Sequence, residues 1–215
     1  MRGIDRRRFL KTLASVAVAA ALPASAGEST LIERPIPRSG ERLPVIGMGS
    51  WITFNVGQDA QARAVRGQVL DAFFSLGGSL IDSSAMYGSS EEVIGDLLAR
   101  RAAMPALFSA TKVWTPGRWL GERQMEQSRR LWNVPRFDLM QIHNLLDWET
   151  HVETLKAMKA DGRVRYIGIT TSHGRRHEEF ERAMMREAFD FVQFSYNIAD
   201  REAERRLLPL AAERG

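Results

Sequence analysis

The chain has 215 residues, 44% of them apolar and 26% charged, proportions that suit one soluble globular domain with a sizeable core. Its formal charge of +4 resides in residues 1–26, where five basic residues face one acid; the other 25 basic and 25 acidic residues cancel, so there is no basic footprint for nucleic acid. With no cysteine, disulfides, thiolate metal sites and a cysteine nucleophile are excluded.

In chain order, residues 1–26 read as an address segment. DRRRFLK supplies a charged start and TLASVAVAAALP an apolar run short of the ~20 residues a bilayer span needs. Ala24-Ser25-Ala26 is a small-residue cleavage site. The paired arginines ahead of Phe9-Leu10-Lys11 resemble a twin-arginine export signal, with Asp5 where Ser or Thr is commoner. The expectation is cleavage after Ala26, engagement of the twin-arginine machinery, a periplasmic location in a bacterium and no membrane span in the mature chain. Residues 27–215 are then the folded domain.

From Leu31 onward, short apolar runs alternate with amphipathic stretches. IERPIPRSGERLPVIGMGSW predicts a small hairpin turning at Ser39-Gly40, then a strand reaching Trp51. Helical spacing runs from Asp59 to Leu76 and stops at Gly77-Gly78. SLIDSS reads as a strand, and SSEEVIGDLLARR as a helix with a serine cap and glutamates in its first turn. The pairs ALFSATKVW/GERQMEQSRRLWN, FDLMQIHN/HVETLKAMKADGR, VRYIGITTS/RHEEFERAMMREA and FDFVQFSYN/REAERRLLPLAAERG repeat the order strand then helix. Units of this kind form parallel sheets. No G-x-G-x-x-G follows the first strand, which favours a (β/α)8 barrel over a dinucleotide-binding doubly wound sheet. A barrel closes with eight units over ~250 residues. Six are readable here, so the chain reads as a barrel truncated after about six units, a fragment of a longer protein.

In parallel barrels chemistry gathers where strands end and loops leave. Asp82 ends LID, Lys112 lies in SATKVW, His143 ends LMQIH, and Tyr87 follows in the loop after Asp82. A free phenol, with pKa near ~10, is a weak acid or base at neutral pH. A nearby ammonium lowers that pKa, so Lys112 is expected to tune Tyr87 while Asp82 holds Lys112 and His143 orients a substrate oxygen. Each residue alone has a plainer use, as turn cap, solvated charge, rim residue or core histidine. Their shared position at consecutive strand ends outweighs those uses. None of the four can give hydride, so a cofactor must.

These same residues resemble a known family, the aldo/keto reductases. IDSSAMYGSSEEVIG is similar to their Asp-x-x-x-x-Tyr-Gly signature followed by Ser-Glu-x-x-x-Gly, and LPVIGMGSW to their Pro-x-x-Gly-x-Gly-Thr-Trp pattern with Ser50 for threonine. SATKVW, DLMQIHN, GRVRYIGIT and FVQFSYN resemble later strand motifs in order. The resemblance implies reduction of an aldehyde or ketone, with Tyr87 as general acid/base, Lys112 and Asp82 as its tuning pair, and His143 as substrate orienter. It also implies NADP(H) as cofactor, with Gly49, Ser50, Trp51, Asp82, Thr170, Thr171 and Gln193 as candidate contacts. Thr170-Thr171 stands where the family usually has Ser-Asn, and Thr171 lacks the two-ended amide of asparagine. Trp51, Trp114 and Met86 are candidate walls of a substrate pocket.

Two other readings compete. An exported barrel that binds without turnover fits a compartment with no evident supply of reduced nucleotide. A metal-dependent hydrolase would use His173 and His177 of HGRRH, whose neighbours offer no third ligand, so no metal is expected.

Overall fold

Two short strands, β1 (Glu33–Pro35) and β2 (Arg42–Pro44), pair antiparallel around the expected turn, with Gly40 at φ 73°. The computed structural model describes residues 31–101 and 106–215; the export signal expected at 1–26 lies outside them. After the hairpin come β3 (Met48–Gly49), α1 (Ala60–Ser75), β4 (Leu80–Asp82), α2 (Ser90–Ala99), β5 (Phe108–Val113) and α3 (Arg118–Trp132). There follow β6 (Phe137–Ile142), α4 (Trp148–Ala160), β7 (Val164–Thr170), α5 (His177–Arg186), β8 (Phe191–Gln193) and α6 (Leu207–Arg214). Strands β3 to β8 form one parallel six-stranded sheet in sequence order, each followed by a helix. This is the curled sheet of a barrel truncated at six units, as the strand–helix alternation predicts.

Strand alternation sorts the side chains into two populations. Ile81, Val113, Met140, Ile142, Ile167, Ile169 and Val192 pack with the helices in the main core. Phe108, Ala110, Leu139 and Tyr166 form a second cluster, capped from the hairpin by Ile36, with Leu80 and Phe191 against it. Two residues further along the same strands stand Asp82, Lys112, Gln141 and Gln193. The concave face is therefore apolar where strands enter and polar where they leave. Gly168 belongs to that polar row, and a Cβ there would come within 3.0 Å of the Gln141 side chain and 2.9 Å of the Phe191 carbonyl. Below it, Tyr166 donates to Glu41 at 2.6 Å, and Arg165 pairs with Asp138 at 2.6 Å and with Glu41, tying hairpin to sheet.

Several boundaries differ from expectation for identifiable reasons. Trp51 lies in a turn beyond the two-residue β3. The Ser89 hydroxyl does not cap α2; it accepts the Gly57 backbone amide at 2.8 Å and donates to the Asn55 side-chain Oδ1 at 3.1 Å, fastening two rim loops. Helix α3 begins at Arg118, ahead of the expected Gly121, and stops at Asn133, whose left-handed φ of 52° asparagine tolerates. The continuous helix expected over 201–215 is broken into a 3-10 turn at Glu202–Glu204 and α6. Pro209 accounts for the break: it has no amide to give the Arg205 carbonyl, but sits without loss in the first turn of a new helix. Among the described residues no helix is long and apolar enough to cross a membrane.

Helices α2 and α3 touch closely at Gly95, where a Cβ would fall 1.7 Å from the Leu131 carbonyl oxygen. Gly95→Ala is expected to destabilise the fold by about 3 kcal/mol, read as a lower urea midpoint at unchanged slope. A midpoint equal to wild type would mean the two helices can part without cost.

Candidate active site

Lys112 is the most confined charge on the concave face. Its side chain is 2% exposed, and its ammonium donates to Asp82 Oδ2 at 2.6 Å and to the Ser83 carbonyl at 2.7 Å. Asp82, 15% exposed, completes its shell with Gln141 Nε2 on Oδ1 at 2.9 Å and Gln193 Nε2 near Oδ2 at 3.4 Å. Strands β4, β5, β6 and β8 thus each send one side chain to the same pair. Among the described residues two of the three ammonium donors are used, and one remains.

Tyr87 and His143 stand beside this pair. The Tyr87 ring centroid lies 5.4 Å from Lys112 Nζ and 5.7 Å from the His143 ring, which it meets edge-on at 89°. His143 opens a 3-10 turn just past β6, buried, with Nδ1 2.8 Å from the Ser84 hydroxyl. The four residues proposed from strand ends therefore converge on one rim.

The electrostatics correct one expectation. Tyr87 is pushed up to about 12, chiefly by burial and then by the Asp82 carboxylate, where a lowering by Lys112 was expected. The ammonium is already neutralised by Asp82, so its pull on the phenol is cancelled while burial still opposes phenolate. His143 is held down at about 4, first by burial and then by the Lys112 charge, so its ring is neutral at pH 7.

The expected cofactor contacts divide. Gly49 ends β3 with nothing within 4 Å of where a Cβ would stand, and Trp51 beside it is 57% exposed. Ser50 is fully buried, its hydroxyl given to Ser83 at 2.7 Å. Thr170 Oγ1 accepts the Asn144 amide at 3.1 Å and keeps its proton to donate. Thr171 does not: its hydroxyl donates to the Arg175 carbonyl at 2.6 Å, which spends the proton inside its own loop. Gln193 turns its amide nitrogen toward Asp82, leaving Oε1 as an acceptor. Met86 and Trp114 are exposed on the neighbouring loops. The histidine pair separates, His173 lying in a turn at φ 59° and His177 starting α5.

The aldo/keto reductase family profile matches residues 45–215. The chain belongs to the aldo/keto reductase family. Methylglyoxal reductase YeaE of Escherichia coli is 30% identical over 143 residues, which cover 64% of this chain and 49% of that protein. The thermostable aldo-keto reductase Tm1743, solved with the inhibitor epalrestat, superposes with a TM-score of 0.73 at 25% identity, over 86% of this chain and 70% of that one. An aldo/keto reductase from Klebsiella pneumoniae, solved with NADP and acetate, gives a TM-score of 0.65 at 26% identity, over 81% and 62%. The chain spans about half the length of the curated relatives it matches.

Sequence reasoning passed over two buried polar residues that support the candidate site. Gln141 reads as one polar letter in an apolar strand, yet that isolation was the available signal, since a lone amide in LMQI needs a partner. Glu91, read as a first-turn helix residue, is buried and accepts from Thr111 at 2.5 Å, Ser128 at 2.7 Å and Trp132 at 3.3 Å, with burial pushing its carboxyl up.

Breaking the central pair has unequal consequences depending on the partner removed. Asp82→Asn leaves an ammonium 2% exposed beside a neutral amide and is expected to cost about 3–5 kcal/mol. Lys112→Met leaves a carboxylate that is 15% exposed and still holds its glutamine donors, and is expected to cost clearly less. Equal losses in urea titrations of the two variants would contradict this account.

Proposed function

We propose that the protein is an exported, NADP(H)-dependent reductase of small aldehydes or ketones, with Tyr87 as the proton donor. The convergence of a protonated phenol, a buried ammonium–carboxylate pair and a neutral imidazole on one rim carries this reading. The donor set also fits a nicotinamide carboxamide: Thr170 retains a proton for its oxygen, and Gln193 Oε1 is an acceptor for its nitrogen. Thr171 has its proton engaged by the Arg175 carbonyl and keeps only an acceptor, so the carboxamide oxygen is assigned to Thr170. Support for NADP(H) also comes from the related Klebsiella pneumoniae structure.

When bound, the reduced nicotinamide supplies the hydride that reaches the carbonyl carbon. The chain's own residues manage the oxygen. His143 holds it, and the Tyr87 O–H bond breaks as the oxygen takes the proton, giving an alcohol and a phenolate. That phenolate is where Lys112 acts, since its remaining donor and its charge, 5.4 Å from the ring centroid, stabilise the anion until solvent returns a proton. Trp51, Trp114 and Met86, exposed on the loops that follow β3, β5 and β4, would suit a substrate with little charge.

Tyr87→Phe is expected to cut NADPH oxidation with methylglyoxal at least ~100-fold while leaving NADPH fluorescence titration unchanged. Undiminished turnover would remove the proposed acid, and absence of NADPH binding in the wild type would favour the non-catalytic binding module. Tyr87 keeps its proton below about pH 12 and His143 stays neutral above about pH 4, so kcat/KM for reduction should be flat from roughly pH 6 to 10. A bell centred near neutrality would count against both roles.

Export is the second half of the proposal. The segment Arg6-Arg7-Arg8-Phe9-Leu10-Lys11 followed by an apolar run and Ala24-Ser25-Ala26 supports passage through the twin-arginine machinery to the periplasm. Replacing Arg6 and Arg7 together by lysine should retain the protein in the cytoplasm, read by cell fractionation. Unchanged periplasmic recovery would overturn this assignment.

A further inference from the structure

Ser84 sits two residues past the end of β4 and is completely buried. Its Oγ lies 2.8 Å from His143 Nδ1 and accepts the Met86 backbone amide at 3.3 Å. Its own carbonyl accepts the Tyr87 amide at 2.9 Å, so one residue grips both the imidazole and the phenol loop. A serine hydroxyl has one proton to give. Among the described residues, the one acceptor bonded to that hydroxyl is Nδ1 of His143. Were Nδ1 itself protonated, it would donate to Oγ, and the proton of the buried Ser84 hydroxyl would be left without an acceptor among the described residues, an arrangement folded proteins avoid.

We propose that Ser84 is a positioning residue that fixes His143 as its Nε2–H tautomer, so that the imidazole offers a carbonyl oxygen a donor instead of a lone pair. The ring is neutral at pH 7, because burial and the Lys112 charge hold it down at about 4, and it therefore carries a single proton. With Nδ1 occupied as an acceptor, that proton is on the opposite edge of the ring. The use of this donor rests on the reductase reading, whereas the tautomer rests on Ser84 and His143 alone. Neither residue gives up a proton in the arrangement: Ser84 retains its O–H bond and His143 its N–H bond, so the pair presets geometry before any chemistry.

The test is nitrogen-15 NMR of the ring nitrogens in the full chain labelled at its 4 histidines, with His143→Gln assigning the signal. At pH 7 the expected spectrum has a protonated Nε2 and an unprotonated Nδ1 for His143. In Ser84→Ala both tautomers should become populated, moving the two shifts toward each other. In the same variant KM for the carbonyl should rise several-fold with NADPH affinity unchanged, and Ser84→Thr should restore both readouts. A wild-type proton on Nδ1, or a pure Nε2–H tautomer surviving in Ser84→Ala, would overturn the proposal. The wild-type spectrum decides this even if a variant fails to fold. Should the wild type show the expected tautomer yet never oxidise NADPH, the reductase reading falls and the Ser84 assignment stands.

Discussion

An ammonium with 2% of its side chain exposed must be neutralised where it stands, and that requirement organises the open end of the sheet. Asp82 meets it at 2.6 Å, but a carboxylate drawn into the same environment has lone pairs of its own to satisfy. Gln141 and Gln193 supply those donors from β6 and β8, and Gly168 on β7 leaves room for the Gln141 side chain. Five successive strands are thereby committed to one charge pair. Its worth as a stabiliser is modest, because desolvation offsets the Coulomb gain. Its effect on specificity is greater: a one-residue slip of any of these strands would send its member to the helix-facing side, away from its partners in the pair.

The same neutralisation sets the character of the phenol. A lone lysine beside Tyr87 would favour phenolate and make the residue a base. A lysine already paired with Asp82 leaves burial in command, and the carboxylate adds to it, so the hydroxyl is pushed up to about 12. Such a group holds its proton until a stronger acceptor forms beside it. On the proposed reading, the oxygen of a carbonyl that has just received hydride is such an acceptor, which would orient the site toward reduction. In the proposed transfer, a departing proton would leave an anion for the third donor of Lys112, which has no partner among the described residues. On that reading the lysine matters more after transfer than before it.

Much of this was legible in the sequence, and the limits were physical. Strand–helix alternation gave six parallel units, and the positions of Asp82, Lys112, His143 and Tyr87 gave a common rim, because period-2 patterning and strand ends are local signals. What sequence could not reveal was the partner at a distance. Ser89 looks like a helix cap until Asn55 and Gly57, more than thirty residues away, claim its hydroxyl. Thr171 looks like a ligand donor until the Arg175 carbonyl takes its proton. The sign of the Tyr87 shift likewise depended on how completely Asp82 cancels Lys112, a matter of distances and burial. Pro209 is a different case, since its effect on a continuous helix over 201–215 could have been foreseen from its missing amide.

Behind the rim a second buried carboxylate explains how Tyr87 and Lys112 keep their spacing. Thr111 and Lys112 are adjacent in β5 and point to opposite faces, so the strand reaches Asp82 on the concave side and Glu91 on the helix side. Glu91 lies in the first turn of α2, four residues after Tyr87, and it is bound by donors from β5 and α3, with no ion pair among the described residues. A carboxylate satisfied wholly by hydroxyl and indole donors is directional in a way that an ion pair is not, since each donor fixes one line of approach. Displacing α2 would misalign all three bonds at once, and Gly95 against the Leu131 carbonyl forbids closer approach. The helix start that carries the phenol loop is thus referenced to the strand that carries the ammonium. Placement of the two groups is settled outside the site, which leaves the concave side free to accept ligand without loosening either.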